Sequence, residues 1–323
     1  MKIQSLSIVV PTKNKCVNAC KFCVSRTHTN PYEDRINRIP SRLMASIDII
    51  KHFPMLENTY PISTKKDKEN VEKIKNSIEY KDYFNRLQFA RDNGCNVIVL
   101  TGTGEPIQNM RFIRFFSEIN STLTTPFKSI EMQTTGVMLN DENLLELRQL
   151  GVTTISFSIS NIFDNEKNLE LIDCKEKLKF NVFETIKLLK KYNFNLRLSL
   201  NLVNDYDVYN VEQVIARCKE LGADQVTFRK LYKSNQNSKI DQWIEDNASE
   251  NFYTKLVEYV TKNGKFLGVL PFGPSVYDID EISMVIDDDC MSEKIEKDTY
   301  KYLVLRENAK LYFRWETKSS LVF

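Results

Sequence analysis

Asn96-Val97-Ile98-Val99-Leu100-Thr101-Gly102-Thr103-Gly104-Glu105-Pro106 decides how the rest of the chain is read. The compact β-branched and aliphatic run predicts a buried strand. The glycines after it predict a turn where backbone can approach a neighbour or a ligand closely. Helical periodicity precedes this stretch over residues 71–92 and follows it over 112–120, so the quoted segment is the strand of a βα unit.

The same alternation recurs along the chain. Strands are predicted over 5–10, 129–133, 153–159, 196–203 and 225–231, with helices over 141–150, 182–192, 211–221 and 252–262. Six strand–helix pairs in succession require parallel strands joined by crossover helices. Gly94, Gly151 and Gly222 each stand between a helix and the next strand, where a left-handed cap is expected. The predicted fold class is α/β: a partial (β/α)6 TIM-type barrel over residues 1–264, with an irregular insertion at about 31–70. That insertion is long for a connection and is a candidate lid. Short strands over 266–269, 282–286, 302–305 and 310–315 suggest a C-terminal β-rich extension, 265–323, expected to close the barrel's open side. Asn308 is expected to turn a terminal hairpin there.

Bulk properties narrow the function. The chain has 323 residues, 42% of them hydrophobic and 27% charged, as in a globular protein with a real core. A formal net charge of +2 predicts no basic face, so nucleic acid is not the expected partner. No apolar run approaches the roughly 20 residues that span a bilayer, and the N-terminus lacks the shape of a signal peptide. The expected location is cytoplasmic. Seven cysteines are too few for a disulfide scaffold, yet three fall within the first 23 residues. In a reducing compartment that is a metal site.

Those three are Cys16-Val17-Asn18-Ala19-Cys20-Lys21-Phe22-Cys23, a C-x3-C-x2-C spacing just after the first strand. One tight loop of this kind can wrap three corners of an iron–sulfur cube and leave the fourth iron open to another ligand. The alternative is a zinc site. Zinc wants four closed ligands, no second C-x2-C exists, and His28 would have to supply the fourth.

The cysteine motif, with its aromatic Phe22 before the last cysteine, resembles that of the radical S-adenosylmethionine (SAM) superfamily. Gly102-Thr103-Gly104-Glu105-Pro106 resembles the same family's GGEP motif, with Thr103 in place of its first glycine. The resemblance implies that Cys16, Cys20 and Cys23 hold three irons of a [4Fe–4S] cluster and that SAM chelates the fourth by its amine and carboxylate. Reductive cleavage then gives methionine and a 5′-deoxyadenosyl radical that abstracts hydrogen from a substrate. It implies oxygen sensitivity and an electron donor such as flavodoxin or ferredoxin. The substrate is a peptide, or a small molecule or nucleoside. The rival function is a non-catalytic, zinc-stabilised binding protein.

By the same resemblance, cofactor-binding positions are Phe22, Gly102, Thr103, Gly104 and Glu105, the last toward the SAM amine. Further candidates lie at later strand ends: Ser158 and Ser160, Asn201 for the ribose, and Arg229 for a carboxylate of SAM or substrate. Their alternatives are polar filling of the barrel interior and, for Arg229, a salt bridge. Cys174 and Cys290 are candidate hydrogen donors or inert thiols, whereas Cys218 fits a core position.

Overall fold

The computed structural model describes residues 2–12, 16–27, 72–73, 75–234, 237–270, 274–287, 299–315 and 318–323. The insertion at 31–70, His28 and Cys290 lie outside the described residues.

All six predicted strands form: β1 Lys2–Val9, β2 Val97–Thr101, β3 Ser129–Thr134, β4 Thr154–Ile159, β5 Asn195–Asn201 and β6 Gln225–Arg229. They pair in parallel and in chain order. The crossover helices are Ile78–Asp92, Met110–Thr122, Asp141–Gln149, Val182–Lys191 and Val211–Glu220. The first starts later than the periodicity over 71–92 predicts, because the Ser77 side chain caps it by accepting from the Tyr80 N–H. Gly94, Gly151 and Gly222 take φ of +83°, +88° and +74°, as their cap positions require.

Inner strands of such a sheet are covered on both faces and bury nearly continuous apolar runs. Leu196, Leu198 and Leu200 of β5 and Ile155, Phe157 and Ile159 of β4 are fully buried. Cys218 is fully buried too, and Cys95 donates its thiol hydrogen to the Val97 carbonyl oxygen (3.4 Å).

The C-terminal strands depart from expectation. After a helix over Glu250–Asn263 come β7 Lys265–Val269, β8 Ser275–Ile279, β9 Ile282–Asp287, β10 Thr299–Leu305 and the two-residue β11 Leu311–Tyr312. The sheet runs β11-β10-β1-β2-β3-β4-β5-β6-β9-β8-β7. β10 lies parallel beside β1 and β9 parallel beside β6, while β11, β8 and β7 are antiparallel to their neighbours. The extension therefore lengthens the sheet at both edges rather than closing it among the described residues. Each hairpin satisfies one edge of the parallel core and presents a new outer strand, β11 or β7. The final hairpin turns at Ala309 (φ +57°), not at Asn308, whose side-chain oxygen accepts from the Lys310 N–H (3.1 Å). The tail docks by its aromatics: Phe323 packs edge-on against Phe89 (4.7 Å between ring centroids) and Tyr300 stacks on Phe313 (4.8 Å).

Candidate functional site

The cysteine loop is fixed from three elements. From the turn after β2, the Gln108 side-chain oxygen accepts from the Val17 N–H and the Glu105 N–H, both at 3.2 Å. From the end of β3, Thr135 Oγ1 accepts from Asn18 Nδ2 (2.9 Å). From a short helix, Asn165–Leu171, the Leu171 and Ile172 carbonyls accept from the Lys21 and Ala19 N–H groups, both at 3.1 Å. Arg26 closes the loop on itself by donating to the Ala19 carbonyl (2.9 Å).

Cys16, Cys20 and Cys23 are half-buried on this loop. Burial pushes the Cys16 and Cys20 thiols up. At Cys20, the negative charges of Cys23, Glu105 and Cys16 add to that. Three thiols near enough to oppose one another's ionisation form a ready site for a cationic centre, which reverses the effect. Among the described residues no three His, Cys, Asp or Glu side chains converge as ligands of one metal ion. A cluster that takes one thiolate per iron requires no such convergence. The donor set and its spacing thus fit an iron–sulfur cube better than a mononuclear ion.

The glycine turn is shaped by contact. A Cβ on Gly102 would stand 2.8 Å from the Val10 carbonyl oxygen, and one on Gly104 3.1 Å from Thr12. Only glycine lets the ends of β1 and β2 approach this closely. Thr103 is not in a left-handed conformation, so the departure from GGEP costs no backbone strain. Glu105 is only 5% exposed. Its carboxylate accepts from Thr134 Oγ1 (2.6 Å), Thr135 Oγ1 (2.7 Å) and the Thr135 N–H (3.1 Å to the nearer oxygen). Burial pushes its pKa up and these hydrogen bonds oppose the rise. Glu105, expected to face the SAM amine, thus ties the turn after β2 to the end of β3.

This network leaves one acceptor over. Thr135 Oγ1 donates to Glu105 and so accepts from Asn18, which fixes the orientation of the Asn18 amide. Asn18 Oδ1 is then buried with no partner among the described residues. Gly136, next along, has φ +92°, and a Cβ there would come within 2.3 Å of the Phe157 ring.

Ser158, Ser160 and Asn201 are brought together: Asn201 Nδ2 donates to Ser158 Oγ (3.1 Å) and Ser160 Oγ (3.2 Å). Ser160 is fully buried and Asn201 nearly so, which leaves Ser158 the most accessible of the three. Phe22 packs against Trp243 (5.9 Å between centroids), from a helix over Lys239–Asn247. A cavity of about 550 Å³ fills the sheet's concave side. Gly102 and Thr103 line it at one end, with Val24 and Ser25 directly after Cys23. Arg229 and Asp287 line it at the ends of β6 and β9. Its polar wall includes Glu131, Arg197 and Gln225. Arg197 pairs with Glu131 and donates to Gln225 (2.8 Å). Cys174 is not among the lining residues; its thiol lies 3.7 Å from the Lys175 carbonyl oxygen. The structure therefore does not bring this candidate hydrogen donor to the cavity.

Sequence reasoning missed Asn18, Gln108, Thr134, Thr135, Trp243 and Asp287. Only Gln108 carried a signal, three residues after Glu105 in the spacing of a capping box.

Comparison with known proteins gives a consistent result. SuiB of Streptococcus suis, in a structure bound to precursor peptide SuiA, superposes with a TM-score of 0.53 at 14% identity over 96% of this chain and 59% of that one. A histidine-tagged anSMEcpe structure with bound AdoMet gives 0.51 at 13% identity over 97% of this chain and 71% of that one. At such identities the likeness is one of fold. Protein MJ0804 of Methanocaldococcus jannaschii is 28% identical over 148 residues, 44% of this chain and 48% of the relative. The chain thus spans about half the length of that relative. Residues 10–205, more than half of the chain and the part that builds this loop and β2–β5, match the model of the radical SAM superfamily, and to that superfamily the chain belongs.

Proposed function

We propose that the chain is a radical SAM enzyme whose Cys16, Cys20 and Cys23 hold a [4Fe–4S] cluster and whose cavity receives a peptide or small-molecule substrate. When bound and reduced, the cluster supplies an electron that cleaves SAM to methionine and a 5′-deoxyadenosyl radical for hydrogen abstraction. The observation that carries this reading is that the three thiols and the Gly102–Glu105 turn are locked together at one end of the same cavity.

The chain's own residues place and shield. Gln108 and Thr135 hold the cysteine loop against the turn. Gly102 and Gly104 keep backbone exposed where a methionyl group would lie. Asn18 Oδ1 offers a buried acceptor suited to an ammonium donor. Ser158 is the accessible hydroxyl of the β4–β5 polar cluster for a ribose, and Phe22 braces the loop through Trp243. Electrons come from a small donor such as ferredoxin or flavodoxin.

Anaerobic reconstitution followed by iron, sulfide and zinc analysis, with 5′-deoxyadenosine measured after dithionite and SAM, tests this reading. About four irons per chain and released 5′-deoxyadenosine are expected, both lost in Cys20→Ala. Stoichiometric zinc with indifference to SAM would instead support the binding-protein reading.

A further inference from the structure

Arg229 ends β6, Asp287 ends β9, and the two are register partners across parallel strands. Both line the cavity. Their closest charged atoms, Arg229 Nη1 and Asp287 Oδ2, are 3.8 Å apart, an ion pair without a hydrogen bond. Asp287 is 9% exposed. Arg229 Nε and Asp287 Oδ1 are both buried, and among the described residues neither has a hydrogen-bond partner. The other lumen pair, Arg197 with Glu131 and Gln225, is already engaged. Buried polar atoms left unpaired are costly and rare, and two side by side in a cavity wall point to a ligand.

The chemistry of the missing partner follows. A free carboxylate would satisfy Arg229 but stand against Asp287, and an ammonium would do the reverse. A zwitterion would require burying two further charges. A neutral amide brings an acceptor and a donor together without that cost. In an extended peptide the C=O and N–H of one residue point to the same side, as in a strand that exchanges both bonds with a neighbour. A second observation favours peptide. Leu270, directly after β7, and Pro274 and Val276 form part of the same cavity wall. β7 is the outermost strand on that side, with Phe266, Leu267 and Val269 more than half exposed. An edge strand that leads into a cavity suits a chain that adds along it.

We propose that Arg229 and Asp287 recognise the main-chain amide of an extended peptide substrate that enters along β7. This rests on the radical SAM reading and names its substrate class. It also moves Arg229 from SAM to substrate.

The test is saturation-transfer NMR on the anaerobically reconstituted protein with SAM bound. The probes are a pool of acetylated, amidated tripeptides of alanine, serine and tyrosine, the same pool N-methylated on its backbone, and uracil. The unmethylated pool is expected to bind. Its affinity should fall at least about tenfold on N-methylation and in the shape-conserving variants Arg229→Lys and Asp287→Asn. Retention of the cluster's visible absorbance shows that both variants fold. No binding of the pool, equal binding by the variants, binding of uracil alone, or a loss confined to SAM affinity overturns the assignment. Failure of the underlying enzyme reading would appear separately, as absence of 5′-deoxyadenosine.

Discussion

Thr135 stands at the centre of the candidate site, since its hydroxyl accepts from Asn18 and donates to Glu105. Thr135→Val keeps the shape and removes both bonds, leaving a buried amide hydrogen and a buried carboxylate oxygen short of partners. The expected loss is about 1–3 kcal/mol of stability by denaturant titration, with iron loading also reduced. Gly102→Ala should cost a similar amount, about 1–3 kcal/mol, because its methyl group would meet the Val10 carbonyl. Thr103→Gly, which restores the GGEP sequence, should leave loading unchanged, since Thr103 takes no left-handed conformation. At this scale, what was legible in sequence was local. Cys16, Cys20, Cys23 and the Gly102–Pro106 turn carry their chemistry in their spacing. Thr135 and Asp287 reach the site from distant strands, and no spacing connects them to the cysteines.

At the scale of elements, the βα rhythm was legible because each strand and helix has its own period and each helix its own cap. The helices over Asn165–Leu171 and Lys239–Asn247 were not, being short and mostly polar. Their ends nevertheless matter, since one braces the cysteine loop and the other carries Trp243. The second is anchored by Asp241. Burial pushes this carboxyl up, but hydrogen bonds from the backbone and hydroxyls of Ser234 and Ser238 reverse that and hold it well below the usual carboxylate range. A lowered folded-state pKa contributes stability above the unfolded value of 3.8 and loses it as pH falls toward the folded value. Asp241→Ala should therefore destabilise by about 2 kcal/mol at pH 7, with the difference from wild type narrowing below about pH 4. Denaturant titrations at pH 7, 4 and 3 check this.

At the scale of the molecule, six βα units were legible and the fate of the last strands was not. Residues 265–323 read as strands, but which edge a strand joins depends on which partner lies free, and that is a property of the assembled sheet. β9 and β10 went to opposite edges, and the result is an open parallel sheet around a cavity. A cluster with one iron free of protein ligands at the end of such a cavity should be lost in air, so aerobic handling should bleach the protein and abolish SAM cleavage. The account's central claim is that the three thiolates leave that iron for SAM. Electron paramagnetic resonance of the dithionite-reduced protein, recorded with and without SAM, tests it most directly. The account predicts a reduced [4Fe–4S] signal whose g-values shift when SAM is added. A cluster signal indifferent to SAM, or no cluster signal at all, would contradict it.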